Sequence, residues 1–255
     1  MPLPVGRWLP LSRPRRFIAD LMHFARQMPT VTAERRMRLA PLAAARQACP
    51  VRPSWCVLFS RAFALVAARR PELRRSYLAF PWPHLYEHPE SVAAITVERI
   101  WDGEEVPVVT HFTSPESRSL ADLDSRLRHF QGCPLREISS LRRTMRSLRL
   151  PRSLRRLVLW SALNVHGPSR ARYLGTFGVT SPAVHGAGML HLLSLVTCTL
   201  HYGLLDAEGC LDVRLTFDHR VLDGAPAARA LADLESVLSN EIVAEVRALK
   251  AAKAA

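Results

Sequence analysis

The sequence predicts an α+β fold, in which helices and strands share a core. In several segments apolar residues recur at the three- and four-residue spacing of amphipathic helices. In other segments apolar and polar residues alternate, as they do in half-buried strands. The chain has 255 residues, of which 48% are hydrophobic, so it can bury a sizeable core as one large domain or two small ones.

Four helices are predicted from helical spacing and from residues that start or stop helices. They cover 16–27, 55–70, 119–131 and a C-terminal stretch that begins near Pro226. Pro29 and Pro71 follow the first two helices as stop signals, and Ser119 is a suitable N-cap for the third. Pro226 suits the first turn of a helix, because its missing N–H has no partner there in any case.

Strands are predicted where the alternation is clear. SVAAITVERI and EVPVVTHF form a pair with a Trp-Asp-Gly turn between them, and GTFGVTS at 175–181 and CLDVRLTF at 210–217 form two more strands. The apolar run MLHLLSLVTCTLHYGLL at 189–205 is too short to span a membrane and contains His191 and His201. We therefore expect buried strands in this run.

The N-terminal sequence and the cysteine content indicate in which cellular compartment the protein is located. Residues 1–14 mix prolines with arginines where a secretory signal needs an uninterrupted apolar core, and we expect them to form a flexible arm. The five cysteines are odd in number and form no CxxC pair, which argues against a disulfide framework and against a zinc site. The sequence thus predicts a cytoplasmic protein without a metal, with the inner membrane surface as an optional peripheral location.

The formal net charge of +13 raises the question of a nucleic-acid partner, because clustered basic residues bind phosphates. All but two of the basic residues are arginines, in a chain also rich in alanine and proline, which is the bias of a GC-rich genome. We therefore do not expect nucleic-acid binding.

Most of the charge lies in residues 134–172, named here the arginine-rich segment. Ten arginines and a single acidic residue, Glu137, give this segment +9 of the +13. Apolar residues at helical spacing predict a cationic amphipathic helix or helix pair: Leu141, Met145, Leu148, Leu154, Leu157 and Trp160. Such a helix either packs on the body of the protein or docks to an acidic carrier protein or an anionic membrane surface.

A histidine follows the last predicted strand in LTFDHRVLDGAPAARAL, residues 215–231. A histidine in this position is more often structural than catalytic. Here, however, His219 precedes an Asp223-Gly224 turn, and the end of a strand followed by a tight turn is a rigid mount. A neutral imidazole held through one nitrogen can accept a proton from a thiol through the other, so a general base is a reasonable hypothesis.

The stretch TFDHRVLDG, followed by an alanine-rich helix, resembles the active-site signature of the dihydrolipoyl acyltransferases of 2-oxoacid dehydrogenase complexes. That family shares its fold and its His-x-x-x-Asp-Gly motif with chloramphenicol acetyltransferase. GTFGVTS, RRFIADLMHFARQMP and VPVVTHFTSPESRSLADLDSRL resemble further segments of the family in the same order. The resemblance runs from about residue 15 to 243 and is weakest between 30 and 100.

The resemblance implies a two-layer sandwich like that of chloramphenicol acetyltransferase, with a mixed β-sheet flanked by helices, in a catalytic domain over 15–245. The remaining residues, 246–255, are expected to be a frayed tail. The family has its active sites between the subunits of a trimer, so the resemblance also implies a homotrimer.

The resemblance assigns roles to residues of this chain. His219 would be the general base that deprotonates a thiol or hydroxyl for direct attack on a thioester, and Thr180 stands where the family has an oxyanion-stabilising serine. Asp223 would hold the loop, with Arg16 as its expected partner. Ser181 replaces the usual asparagine, and Gly224 would permit the close turn.

The chain also departs from the family. It has no lysine before position 250, so we expect no covalently bound lipoyl group. The leading hypothesis is a free-standing acyltransferase that uses acyl-CoA. Two alternatives remain open: a non-catalytic trimeric scaffold of the same fold, and an acyltransferase core that uses a lipoyl domain on another chain.

Overall fold

The computed structural model describes residues 6–181, 183 and 186–252. Both helices and strands occur along this part of the chain, as the sequence predicts. The helices are α1 (Arg13–Ala25), α2 (Ala40–Ala48), α3 (Trp55–Arg69), α4 (Leu120–Gly132), α5 (Ser139–Ser147), α6 (Arg152–Asn164), α7 (Gly167–Leu174), α8 (Gly224–Val237) and α9 (Val243–Ala252). The strands are β1 (Thr30–Arg38), β2 (Arg75–Leu78), β3 (His84–Glu87), β4 (Val92–Trp101), β5 (Glu104–Thr113), β6 (Phe177–Thr180), β7 (Cys198–Tyr202) and β8 (Cys210–Asp218).

Six strands form one mixed sheet in the order β1-β8-β7-β6-β4-β5, and β2 pairs with β3 apart from it. The β6 strand runs parallel to both of its neighbours, while the other pairs are antiparallel. This arrangement confirms the predicted α+β fold with a mixed sheet. Trimer formation stays a prediction.

The sheet has one apolar and one polar face. Alternate residues of β8 and β7, such as Leu215, Phe217 and Leu200, are buried in the main core against α3, α8 and α9. The residues between them, such as Thr216 and Thr199, point to the opposite face, because successive strand side chains alternate. The strict alternation of CLDVRLTF therefore arises because helices cover the apolar face of the sheet.

The β4–β5 hairpin turns at Asp102 and Gly103, as the Trp-Asp-Gly signal predicts. Both residues have positive φ angles, 52° and 79°, which is the requirement of a tight hairpin turn whose twist matches the strands. Helix α4 also begins as predicted, because the Ser119 hydroxyl accepts a hydrogen bond from the backbone N–H of Asp122.

Three predicted boundaries are wrong. Helix α1 begins at Arg13, inside the predicted arm, because Ser12 caps it and Pro14 suits its first turn. Within 189–205 only β7 is a strand. Residues 246–252, expected to belong to the frayed tail, are helical in α9, while residues 1–5 and 253–255 lie outside the described residues.

The arginine-rich segment forms three short helices, α5 to α7, rather than one or two. Leu141 of α5 is buried, and Met145 and Leu148 pack with it against a second apolar cluster that contains Val108 and Phe130. This part of the segment packs on the body of the protein. None of the helices that the structure describes is long and apolar enough to cross a membrane.

Helix α6 is anchored to α1 by a buried ion-pair cluster. The carboxylate of Asp20, whose residue is 5% exposed, accepts a hydrogen bond from Nε of Arg155 at 2.8 Å and from Nε of Arg156 at 3.3 Å. Two of the ten arginines are therefore neutralised inside the molecule. From the sequence alone, all ten arginines of the segment count as positive charge, because nothing in it indicates an acidic ion-pair partner for any of them.

Replacing Asp20 with alanine is expected to lower the free energy of unfolding by about 3 kcal/mol, because two partly buried guanidinium groups lose their counter-ion. Urea unfolding measures the change. Glu87→Ala is the control, because the Glu87–Arg75 pair is exposed and its loss is expected to cost under about 1 kcal/mol. Equal losses in both variants would contradict a special role for Asp20.

Candidate active site

His219 lies directly after β8, at the start of a turn. Its backbone N–H donates to the carbonyl of Pro29 at 2.9 Å, and the N–H groups of Val221 and Leu222 donate to the carbonyl of Asp218. These bonds fix the backbone on both sides of the imidazole. The His219 side chain is 47% exposed, so a substrate can reach it.

The residue before His219 holds the turn in place. Asp218 is fully buried, and its carboxylate accepts hydrogen bonds from Nε of Arg220 at 2.9 Å, from Nη2 at 2.7 Å and from the Arg220 backbone N–H at 3.0 Å. The Arg220 guanidinium also lies over the Tyr77 ring, 4.2 Å from its centroid. The sequence DHR thus forms a local clamp around the histidine.

Arg170, a buried arginine of α7, lies near the same turn. Arg170 is 2% exposed and donates to the carbonyls of Leu163 and Leu195 at 2.6 and 2.9 Å. Burial lowers the pKa of Arg170 to about 10, and the charge of Asp218 works against that decrease. This arginine of the arginine-rich segment therefore points into the protein and connects α7 to the loop before β7.

Asp223 is the residue before α8, and one of its carboxylate oxygens lies 3.4 Å from Nδ1 of His219. A carboxylate at this nitrogen favours the tautomer that leaves Nε2 free to accept a proton. The expected Arg16 partner is not found: among the described residues Asp223 forms no ion pair with it, and Nε of Arg16 donates to the carbonyl of Leu11.

The direction of α1 keeps Arg16 away from Asp223. Arg16 lies in its first turn, where the neighbouring Arg15 approaches Glu104 at the β4–β5 turn, whereas His219 contacts Pro29, beyond the other end of the helix. Gly224 also differs from expectation. It is the first residue of α8, its φ is not positive, and a Cβ there would meet no atom within 4 Å.

Thr180 ends β6 on the polar face of the sheet and is partly exposed. Its carbonyl accepts a hydrogen bond from Nδ1 of His201 at 3.3 Å, since Nε2 of that ring accepts from the N–H of Met189 at 3.1 Å. Ser181 donates to the carbonyl of Tyr202 at 2.6 Å. His201 was missed as a site residue, because its pairing with Thr180 depends on strand register, which the sequence does not show.

Thr180 and His219 are far apart in one chain. Thr180 pairs with His201, and His201 with Arg214. Asp218 is four residues beyond Arg214 along β8, which is about 13 Å, and His219 comes after it. One reacting carbonyl would need to lie about 3 Å from both groups, so the hydroxyl and the imidazole of a single chain cannot act on it together.

The five cysteines are free thiols. Burial raises the pKa of both Cys56 and Cys198 to about 12. Among the described residues no group of three or more histidine, cysteine or acidic side chains is placed to hold a metal ion.

The fold and the position of His219 define a chain with the architecture of chloramphenicol acetyltransferase-like acyltransferase cores. A truncated catalytic core of the 2-oxoacid dehydrogenase multienzyme complex from Thermoplasma acidophilum is 17% identical, with a TM-score of 0.68 over 92% of this chain and 99% of that one. A chloramphenicol acetyltransferase is 12% identical, with a TM-score of 0.52 over 90% and 96%.

A dihydrolipoamide acetyltransferase of Azotobacter vinelandii is 19% identical, with a TM-score of 0.63 over 97% of this chain and 95% of that one. Its catalytic mechanism has been investigated through a serine, a histidine and an asparagine, the asparagine four residues after the histidine. No protein-family model and no curated protein matches the sequence. The resemblance is thus confirmed as a shared fold.

Acidification is expected to destabilise the protein partly through His201. Burial lowers the pKa of this ring below its usual value. The hydrogen bond to the Thr180 carbonyl opposes this decrease and the charge of Arg214 adds to it, and on balance the folded state favours the neutral form. The stabilisation is therefore complete above about pH 6.5, the unfolded value, and is lost as the pH falls through the lower folded value. His201→Gln should show a shallower fall in unfolding free energy below about pH 6.5.

Chemical unfolding at a series of pH values measures this slope. His84→Gln is the control, because His84 lies on the separate β2–β3 ribbon, away from the polar face of the main sheet. A slope that stays at the wild-type value in His201→Gln would contradict the assignment.

Proposed function

We propose that this protein is an acyltransferase that moves an acyl group from acyl-CoA to a thiol or hydroxyl acceptor at sites shared between identical subunits. The observation that carries the proposal is the separation of Thr180 and His219 in one chain, together with the accessibility of the imidazole. If both groups act on one carbonyl, they must come from different copies. A trimer is the assembly that we infer.

His219 acts as the general base in the proposed mechanism. Nε2 takes the proton of the acceptor thiol while the sulfur attacks the thioester carbonyl, and Asp223 stabilises the imidazolium through Nδ1. The tetrahedral intermediate carries an oxyanion, to which the Thr180 hydroxyl of the neighbouring subunit donates a hydrogen bond. Collapse of the intermediate breaks the bond to the CoA sulfur, which receives the proton from His219.

The solved relatives support this assignment of roles. In the Azotobacter vinelandii enzyme the investigated side chains are a hydroxyl, a histidine and an asparagine at the spacing of His219 and Asp223. Threonine at 180 keeps the hydroxyl donor, and aspartate at 223 adds a negative charge beside the ring. A scaffold without catalysis has no physical need for this combination.

The charge of the surface favours an anionic donor. Outside the Asp20 cluster and the buried Arg170, the arginines of the arginine-rich segment are exposed: Arg136, Arg142, Arg143, Arg146, Arg149, Arg152 and Arg172. Phosphate groups of CoA, or an acidic carrier protein, would be attracted to them. A lipoyl domain on another chain is the competing source of the acceptor thiol.

Replacing His219 with alanine is expected to lower the rate of thiol-dependent CoA release by about 100-fold or more, because the general base is lost. The assay follows free CoA from acetyl-CoA, with dihydrolipoamide and small alcohols as separate acceptors. His84→Ala is the matched control and should leave the rate unchanged. CoA release that survives in His219→Ala would exclude this residue as the base.

Shared sites predict complementation between two inactive variants. Thr180→Val removes the hydroxyl and is expected to lower the rate by about 100-fold or more, while Thr180→Ser should keep most of it. When His219→Ala and Thr180→Val subunits are unfolded and refolded together, mixed oligomers should contain intact sites and recover activity. The control is the chain that carries both substitutions, refolded alone, since it cannot form an intact site. Recovery no greater than in that control, or a strictly monomeric mass by light scattering, would contradict the shared site.

A further inference from the structure

A large cleft lies between the sheet, α1 and the helices of the arginine-rich segment. It has a volume of about 1320 Å³, which exceeds the usual range for drug-sized ligands. Of the site residues that the sequence predicts, only Thr180 lines this cleft. His219 does not line it, so the cleft lies on the side of the proposed hydroxyl donor.

The walls of the cleft change character from one side to the other. The sheet contributes polar groups close to Thr180, including Thr199 and His111. The opposite walls are apolar: α1 contributes Phe17, Ile18 and Leu21, and α6 contributes Leu157, Val158 and Ala162. Such a gradient fits a ligand with a polar reacting group at one end and an apolar chain at the other.

Two further observations point to a ligand. Leu157 and Val158 are 58% and 54% exposed, so the apolar stripe of α6 that faces the cleft is not covered by the chain itself. His111 lies in register with Ala94 on β4, and Ala94 with Gly178 on β6, so it lies level with the residue two before Thr180 along the sheet. Nε2 of His111 is buried and has no hydrogen-bond partner.

Exposed arginines also line the cleft. Arg143 and Arg172 line it, and Arg155 is held at its wall by Asp20. An anionic carrier attached to the apolar chain can therefore remain at a basic surface while the chain is buried.

We propose that this cleft binds the acyl chain of a medium- or long-chain acyl thioester, with the thioester at Thr180 and the chain between α1 and α6. The inference rests on the proposed acyl transfer and names its substrate class. A short acyl group such as acetyl would leave the apolar walls of α1 and α6 without a partner.

Binding is tested on the His219→Ala variant of the full chain, which keeps the cleft and does not consume the ligand. Calorimetric titration with acetyl-, butanoyl-, octanoyl- and dodecanoyl-CoA should give a Kd that falls with chain length, by up to about fourfold for each methylene group that becomes fully buried. A Kd that is the same for all four ligands would overturn the proposal.

Val158→Trp is expected to block the chain and to weaken octanoyl- and dodecanoyl-CoA to the level of acetyl-CoA, without changing acetyl-CoA itself. Leu154→Trp is the matched control, because Leu154 is 47% exposed on the same helix, one turn earlier, and does not line the cleft. Val158→Ala provides a second test in case the tryptophan variant misfolds, and it should raise the Kd of dodecanoyl-CoA several-fold. Equal effects of the two tryptophan substitutions would overturn the proposal.

A second copy of the chain is the competing occupant. If it fills the cleft, Val158→Trp should lower the oligomeric mass while the Kd stays independent of chain length, which would overturn the inference. The proposed function fails differently. It fails if CoA release persists without His219, whatever the chain-length series shows.

Discussion

The register of three neighbouring strands determines where the two proposed catalytic side chains lie. Because β6 and β7 are parallel and β8 runs against them, the end of β8 that carries His219 lies level with the start of β6, across β7, while Thr180 lies at the other end of β6. One strand-pairing pattern therefore separates an imidazole from a hydroxyl that a thioester would need together. The proposed sharing of each active site between two subunits follows from this separation.

Internal ion pairing explains part of the arginine content. Asp20 binds Arg155 and Arg156, Arg220 binds the buried Asp218, and Arg170 satisfies backbone carbonyls between α7 and the loop before β7. In these places the planar guanidinium group holds a turn or neighbouring elements together, since it donates several hydrogen bonds in fixed directions. The net charge of the sequence is thus divided between internal connections and a basic surface on α5 to α7.

The sequence predicted the elements whose pattern is local. Trp55–Arg69, the β4–β5 hairpin and the Ser119 cap agree with the structure because periodicity, turn residues and capping are set by neighbours along the chain. Strand β1 was missed, since charged residues such as Glu34 and Arg36 interrupt its apolar alternation. The expected strands at 189–197 failed because that backbone is held by side chains instead, as Met189 is by His201 and Arg214. The motif located His219, but partners such as His201, and the absence of Arg16, depend on long-range register.

The reactivity of Cys56 and Cys198 bears on the proposed transfer to a thiol acceptor. Thiol–disulfide exchange requires the thiolate, and a rise in pKa from 9 to about 12 lowers the thiolate fraction of Cys56 and Cys198 by about a thousandfold at neutral pH. The oxidised, disulfide form of a dithiol acceptor would therefore meet poor nucleophiles at these two positions. A mixed disulfide at Cys56 or Cys198 would accordingly form slowly.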